Sequence, residues 1–272
     1  MHDVLVPARD SRTWQAHVEY AARLAVLLDG TLTAVYNAAL PMPVPDAASP
    51  GLAAEIIDIC REEIDAALHA HAPFERWARG LGVRSAAWHV ATGPDLSVLQ
   101  SAAKWNDVVV LERSEGPAEA TPGALGQTVL NVGLPCIIVP GSITAPALDV
   151  IAVAWKGTVE STRALHAALP LLKRAKRIVL IYGERGVAPA ESETSVREAQ
   201  QHLQQHGLSA ALKFIDPESH DAGQQILTAA AEASAGLLVM GCFGRTRLSE
   251  WMFGGATRHV LQYTTIPVFM RH

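Results

Sequence analysis

Short runs of β-branched and other apolar residues alternate along the chain with longer amphipathic stretches, the pattern of βα units around a parallel sheet. Runs such as IVLIY and LLVM are apolar without alternation, as expected of strands covered by helices on both faces. In the second half the pattern predicts strands over 149–155, 177–182, 209–215, 236–241 and 266–270, with helices between them. In the first half, Ala39 to Gly51 (ALPMPVPDAASPG) is rich in proline and reads as a surface loop before a long helix that starts near Leu52.

The pattern occurs twice. Asp3 to Tyr36 and Asp149 to Tyr182 are each an Asp, an apolar run, a polar turn, a helix and a second apolar run. DVVVLERS from Asp107 parallels GLLVMGCF from Gly236, and GLPCIIVPG from Gly133 parallels TTIPVFMRH from Thr264. A repeat this long is a domain and not a solenoid module. The expected fold class is therefore α/β: two tandem, doubly wound, parallel five-stranded sheets, residues 1–143 and 144–272, joined by a linker over Pro140 to Pro146. Each repeat ends in an apolar edge strand, so the two edges are expected to meet antiparallel and pack the repeats as a pseudo-dimer.

Composition narrows the function. Charged residues are only 18% and hydrophobic residues 49% of the 272, which suits two packed units sharing apolar surface. A net charge of -5 and a pI near 6.1 lack the basic footprint of a general nucleic-acid binder. No apolar run approaches the roughly 18 residues that span a bilayer, and MHDVLVPARD does not read as a leader, so the expectation is a cytoplasmic protein without a membrane partner. Cys60, Cys136 and Cys242 are too scattered for a disulfide framework or metal-ligand spacing.

Open parallel sheets bind ligands beyond the carboxyl ends of their strands, where strand order reverses. After the fourth strand of the second half comes Met240-Gly241-Cys242-Phe243-Gly244-Arg245-Thr246-Arg247, and further on Gly254-Gly255-Ala256-Thr257-Arg258. Two glycine clusters bracketing one loop let backbone N–H groups approach an anion, and a helix over Ala256 to Tyr263 would present its N-terminus to it. Arg245, Arg247 and Arg258 supply cations suited to phosphate.

Gly241, Gly244 and Gly254 carry a Gly-x2-Gly-x9-Gly spacing, and on it the chain resembles a tandem universal stress protein. The resemblance implies an adenine nucleotide alpha hydrolase-like, Rossmann-like fold and a stress-response protein that binds ATP or another adenine nucleotide, with or without Mg, in its C-terminal domain. It also implies a homodimer. Carried over to this sequence, it places phosphates on Met240, Gly241, Gly244, Arg245, Gly254, Gly255, Ala256 and Thr257. The base and ribose fall near Ala154, Trp155, Lys156, Ile181 and Tyr182. Two positions depart from the family pattern. Gly255 stands where relatives carry Ser or Thr, with Thr257 close by as a substitute hydroxyl. Lys156 or Trp155 stands where nucleotide-binding relatives place an Asp; Lys156 can meet a phosphate and Trp155 can line an adenine pocket.

The first half lacks the glycine bracket. Glu112 aligns with Gly241, the loop Arg113 to Thr121 adds two glutamates, and Pro122-Gly123 corresponds to Gly254-Gly255, so this half is expected to be a structural partner that repels phosphate. Cys242 is read as an inert thiol. His202 and His206, four apart on a predicted helix, are read as a solvated face because no third ligand lies within a turn, and His69 and His71 point to different sides of a helix. A nucleophile elbow and a P-loop are both missing, and the glycine loop holds only Glu250 as a carboxylate, which favours binding over catalysis. Two alternatives stand beside nucleotide binding: a non-nucleotide family member serving as a dimeric scaffold or small-anion binder, and a weak nucleotide hydrolase.

Overall fold

A computed structural model describes residues 1–38, 50–113, 122–183, 187–216, 221–242 and 255–272. The Pro-rich loop over 39–49 and most of the glycine loop, 243–254, lie outside the described residues. The chain divides into two compact units, Met1–Val110 and Leu111–His272.

In the first unit, β1 (Asp3–Ala8), α1 (Ala16–Leu27), β2 (Thr31–Asn37), α2 (Pro50–His69), α3 (His71–Gly80), β3 (Ser85–Ala91) and α4 (Asp95–Ala103) lead into β4 (Val108–Arg113). The strands are parallel in the order β3-β2-β1-β4, with Val4 opposite Leu32 on one side and Val108 on the other. The expected loop ends earlier than Gly51, because Pro50 already opens α2; the fixed φ of proline suits a first helical turn, where its missing N–H has no partner to lose. Trp14, Phe74, Trp77, Trp88 and Tyr36 form one aromatic cluster, and the Trp88 indole donates to the Ala67 carbonyl at 2.9 Å.

The second unit holds α5 (Pro122–Asn131), β5 (Cys136–Pro140), β6 (Val150–Trp155), α6 (Val159–Leu172), β7 (Arg177–Tyr182), α7 (Pro189–Gln205), β8 (Ala210–Phe214), α8 (Ala222–Glu232), β9 (Leu237–Gly241), α9 (Gly255–Tyr263) and β10 (Val268–Arg271). Its strands run β5-β10-β9-β6-β7-β8, so β8-β7-β6-β9 repeats the order seen in the first unit. All pairings here are parallel except β5 with β10, where Ile138 faces Val268 and Ile137 faces Phe269. The two apolar strands thus meet antiparallel, with no solvent exposure at Ile137, Ile138, Val139, Val268, Phe269 or Met270.

α6 meets α7 through His166 and His202, and α8 packs on α9, the pairing that right-handed crossovers give on opposite faces of such a sheet. Local signals fix the helix starts. Thr158 and Ser161 form a reciprocal capping box on α6, Pro189 opens α7, and the Asp221 carboxylate accepts from the amides of Gly223 and Gln224 to cap α8. Among the described residues no helix is long and apolar enough to cross a membrane.

Candidate functional site

In the second unit the strand order reverses between β6 and β9, the position where sheets of this kind take ligands. Met240, Ala154 and Ile181 lie in register across β9, β6 and β7, and Trp155 is level with Tyr182 one step further along. Five residues read from sequence as one site therefore line up at the carboxyl edge. Ile181 is buried and belongs to the core, whereas Trp155, Lys156 and Tyr182 line a cavity of about 220 Å³.

The other wall of that cavity comes from α7, through Glu191, Ser192 and Ser195. Sequence reading missed these three, since no local signal shows which face of α7 turns toward the sheet. The Trp155 indole N–H donates to Ser195 Oγ at 3.0 Å, which fixes the ring's orientation. Gly157 explains how the strand exit can sit so near α7. Its φ is +73°, and a Cβ there would lie 2.4 Å from Ser195 Oγ. Gly183, at φ +141°, approaches β8 in the same way: a Cβ would stand 2.1 Å from the Ile215 carbonyl oxygen. A glycine directly after Trp155-Lys156 and another directly after Tyr182 were the legible signals for both close approaches.

The glycine bracket is only partly described, because Gly244, Arg245, Arg247 and Gly254 lie outside the described residues. Gly241 closes β9 against the first turn of α6, where a Cβ would come within 2.5 Å of the Glu160 carbonyl carbon and the Ser161 amide nitrogen. Its lack of a side chain is thus a packing requirement. The next amide, that of Cys242, donates to the Arg271 carbonyl at 3.2 Å. Gly255 opens α9, as expected within one residue, and Thr257 is buried. Asp221 stands beside this helix start. A Cβ at Gly255 would have Asp221 Oδ2 at 4.0 Å, and His259 Nδ1 lies 3.4 Å from Asp221 Oδ1.

The remaining candidates sort clearly. Burial pushes the Cys242 thiol up to about 12, against a weaker opposing pull from Arg271, and burial likewise raises Cys136, so neither is a reactive thiolate. His69 and His71 are exposed; His69 Nδ1 lies 2.6 Å from the Asp65 carbonyl, and His71 pairs with Glu75 at 3.6 Å. The solvated face expected at His202 is corrected: His202 is half-buried and stacks on His166 of α6, a neighbour that spacing within one helix cannot reveal. Among the described residues no group of three His, Cys, Asp or Glu side chains is arranged to hold a metal ion. At the end of β4, Glu112 is half-buried and Arg113 donates to the Gln262 carbonyl at 3.1 Å, while 114–121 lie outside the described residues.

A parallel sheet with a topological switch, crossover helices on both faces and a cavity at its carboxyl edge defines a doubly wound α/β protein. Residues 148–272 match the model of the universal stress protein family. Along its whole length the chain has the fold of a universal stress protein from Archaeoglobus fulgidus, with TM-score 0.74, 14% identity, and 99% of this chain and 98% of that one covered. A functionally unknown protein from Pseudomonas aeruginosa PAO1 matches with TM-score 0.62 and 12% identity over 100% of this chain and 92% of its own. No curated protein sequence gives a significant match.

Proposed function

We propose that the chain is a tandem universal stress protein, with repeats over 1–143 and 144–272, that binds an adenine nucleotide, ATP foremost, in its C-terminal repeat and acts as a binding and regulatory protein. The observation that carries this reading is the cavity at the carboxyl ends of β6 and β7, walled by Trp155 and Tyr182 with Lys156 at its rim. Aromatic walls suit a purine, and a lysine beside them suits a phosphate. At about 220 Å³ the cavity has room for a base and part of a ribose but not for a triphosphate, which would run out toward the amides at the start of α9. Asp221 opposes a bare phosphate there, so Mg carried by the nucleotide would offset its charge. The antiparallel pairing of β5 with β10 supports packing of the repeats as a pseudo-dimer.

Mass spectrometry of small molecules released from the denatured protein, followed by calorimetry with ATP, ADP, AMP and cyclic AMP, tests the reading. One adenine nucleotide per chain is expected, with affinity falling at least tenfold in Lys156→Glu. Saturating nucleotide without a heat signal would favour the scaffold alternative. Equal affinity in Lys156→Glu would move the ligand elsewhere, and steady release of ADP would favour the hydrolase.

A further inference from the structure

Helices α6 and α7 meet through imidazoles. His166, midway along α6, stacks on His202 of α7 with ring centroids 4.5 Å apart and planes 16° from parallel. His202 in turn meets His206, one turn on, edge to face at 4.8 Å. The Nε2 atom of His202 is shielded from solvent and has no hydrogen-bond partner within the protein. A neutral ring tolerates that placement, because one of its nitrogens is only an acceptor. An imidazolium carries two N–H donors and a charge, so the same placement leaves a charged donor unsatisfied.

Helical spacing connects this stack to the cavity. Ser192, Ser195, Ala199, His202 and His206 recur along one face of α7, so the face that walls the cavity at its first turns continues into the imidazole contact at its last. Besides its buried Val196, Ala199 and Leu203 and the Gln200 bond to the Ala210 carbonyl, α7 is tied near its first turns by Trp155 and Ser195 and near its last by His166 and His202.

We propose that His202, stacked on exposed His166 and met edge to face by exposed His206, is a pH-operated latch: with its ring neutral, α7 is fastened to α6, and its protonation in mild acid releases α7 and opens the cavity wall that Ser192 and Ser195 provide. The latch does not depend on what the cavity binds. Burial first, then the charges of His166 and His206, hold the His202 pKa below its ordinary value. An unfolded imidazole titrates near 6.5, so the folded chain takes up this proton less readily than the unfolded one, and the fastening weakens as pH falls below about 6.5. Few other charges bear on the stack. One turn away, α6 carries exposed Arg163 and α7 carries exposed Glu198. The strands beneath α7 carry Arg177, bonded to the Ala233 carbonyl, and Lys213, paired with Glu232 at 2.8 Å.

Hydrogen exchange on the full chain at pH 7.5 and 5.5, corrected for the intrinsic rate, tests the latch. Amides of α7 should lose at least tenfold protection at pH 5.5 while those of α8 stay unchanged. The double variant His166→Phe with His202→Phe keeps stacked rings without a titrating nitrogen, and its α7 should be equally protected at both pH values. Protection of native α7 that is independent of pH, or an equal loss in the double variant, would overturn the proposal. Should that variant fold poorly, an NMR titration decides instead. His202 is expected to titrate below 6.5 in the native chain and closer to 6.5 in His166→Ala; a midpoint at or above 6.5 in the native chain, or one unmoved by His166→Ala, would equally overturn it.

Discussion

Replacing Gly241 by alanine isolates the packing role of a residue whose spacing reads as phosphate-binding. The added methyl would sit 2.5 Å from the Glu160 carbonyl carbon and the Ser161 amide nitrogen, and 2.8 Å from the Glu160 oxygen. That is about 1 Å inside ordinary contact distance. Neither partner yields easily. Met240, just before it, is held between Ala154 and Met270, and the first turn of α6 is held by the Thr158 and Ser161 capping box. Overpacking costs roughly 1–3 kcal/mol, and a collision with backbone instead of a rotatable side chain belongs at the upper end. At about 2–4 °C per kcal/mol for a unit of this size, a loss of about 3 kcal/mol lowers the melting temperature by roughly 6–12 °C. Gly255→Ala is the control, since its nearest neighbour is Asp221 Oδ2 at 4.0 Å, and it should stay within about 0.5 kcal/mol of the native chain. Thermal and urea denaturation of both variants read the difference. A Gly241→Ala protein that melts with the native one would show that β9 and α6 are not in close approach.

Three further outcomes are expected. Ser195→Ala removes the acceptor of the Trp155 indole and should cost about 1 kcal/mol in urea denaturation, with weaker binding in the cavity. The Tyr20 hydroxyl is fully buried without a hydrogen-bond partner in the protein, and burial raises its pKa, so the folded chain keeps this proton longer than the unfolded one. Stability should therefore fall as pH rises above about 10, and Tyr20→Phe should reduce that loss, the remainder coming from the buried Cys136 and Cys242 thiols, while leaving neutral-pH stability equal or up to about 1 kcal/mol higher. Thiol titration of the native chain should label half-buried Cys60 readily and leave buried Cys136 and Cys242 unreacted until denaturant is added; prompt labelling of Cys242 would contradict its burial.

The strands were legible because a buried parallel strand leaves an uninterrupted apolar run, and the five expected in the second half fall within two residues of β6 to β10. That Trp155, Lys156 and Tyr182 gather around one cavity was legible because they follow neighbouring parallel strands at their carboxyl ends. Ser195 and His166 were not. Each matters through a partner on another element, and which turn of α7 lies over Trp155 depends on how the helix docks, a tertiary quantity that helical periodicity does not contain. Gly241 was legible as a glycine position but its packing role was not, because the obstacle to a side chain there is the start of a helix some 80 residues earlier in the chain. Asp221 was hidden in the same way beside Gly255.

The antiparallel join of β5 to β10 has a consequence for the order of synthesis. Cys136–Pro140 emerges about 130 residues before the strand that covers it, which at roughly 5–20 residues per second leaves it waiting for about 6–26 seconds. During that interval a wholly apolar strand lacks its eventual antiparallel neighbour, the state in which chains recruit strands from one another. A crowded polysome would thus present many copies of the same bare edge at once, and the nascent chain's vulnerability is set by the distance along the message between its two halves.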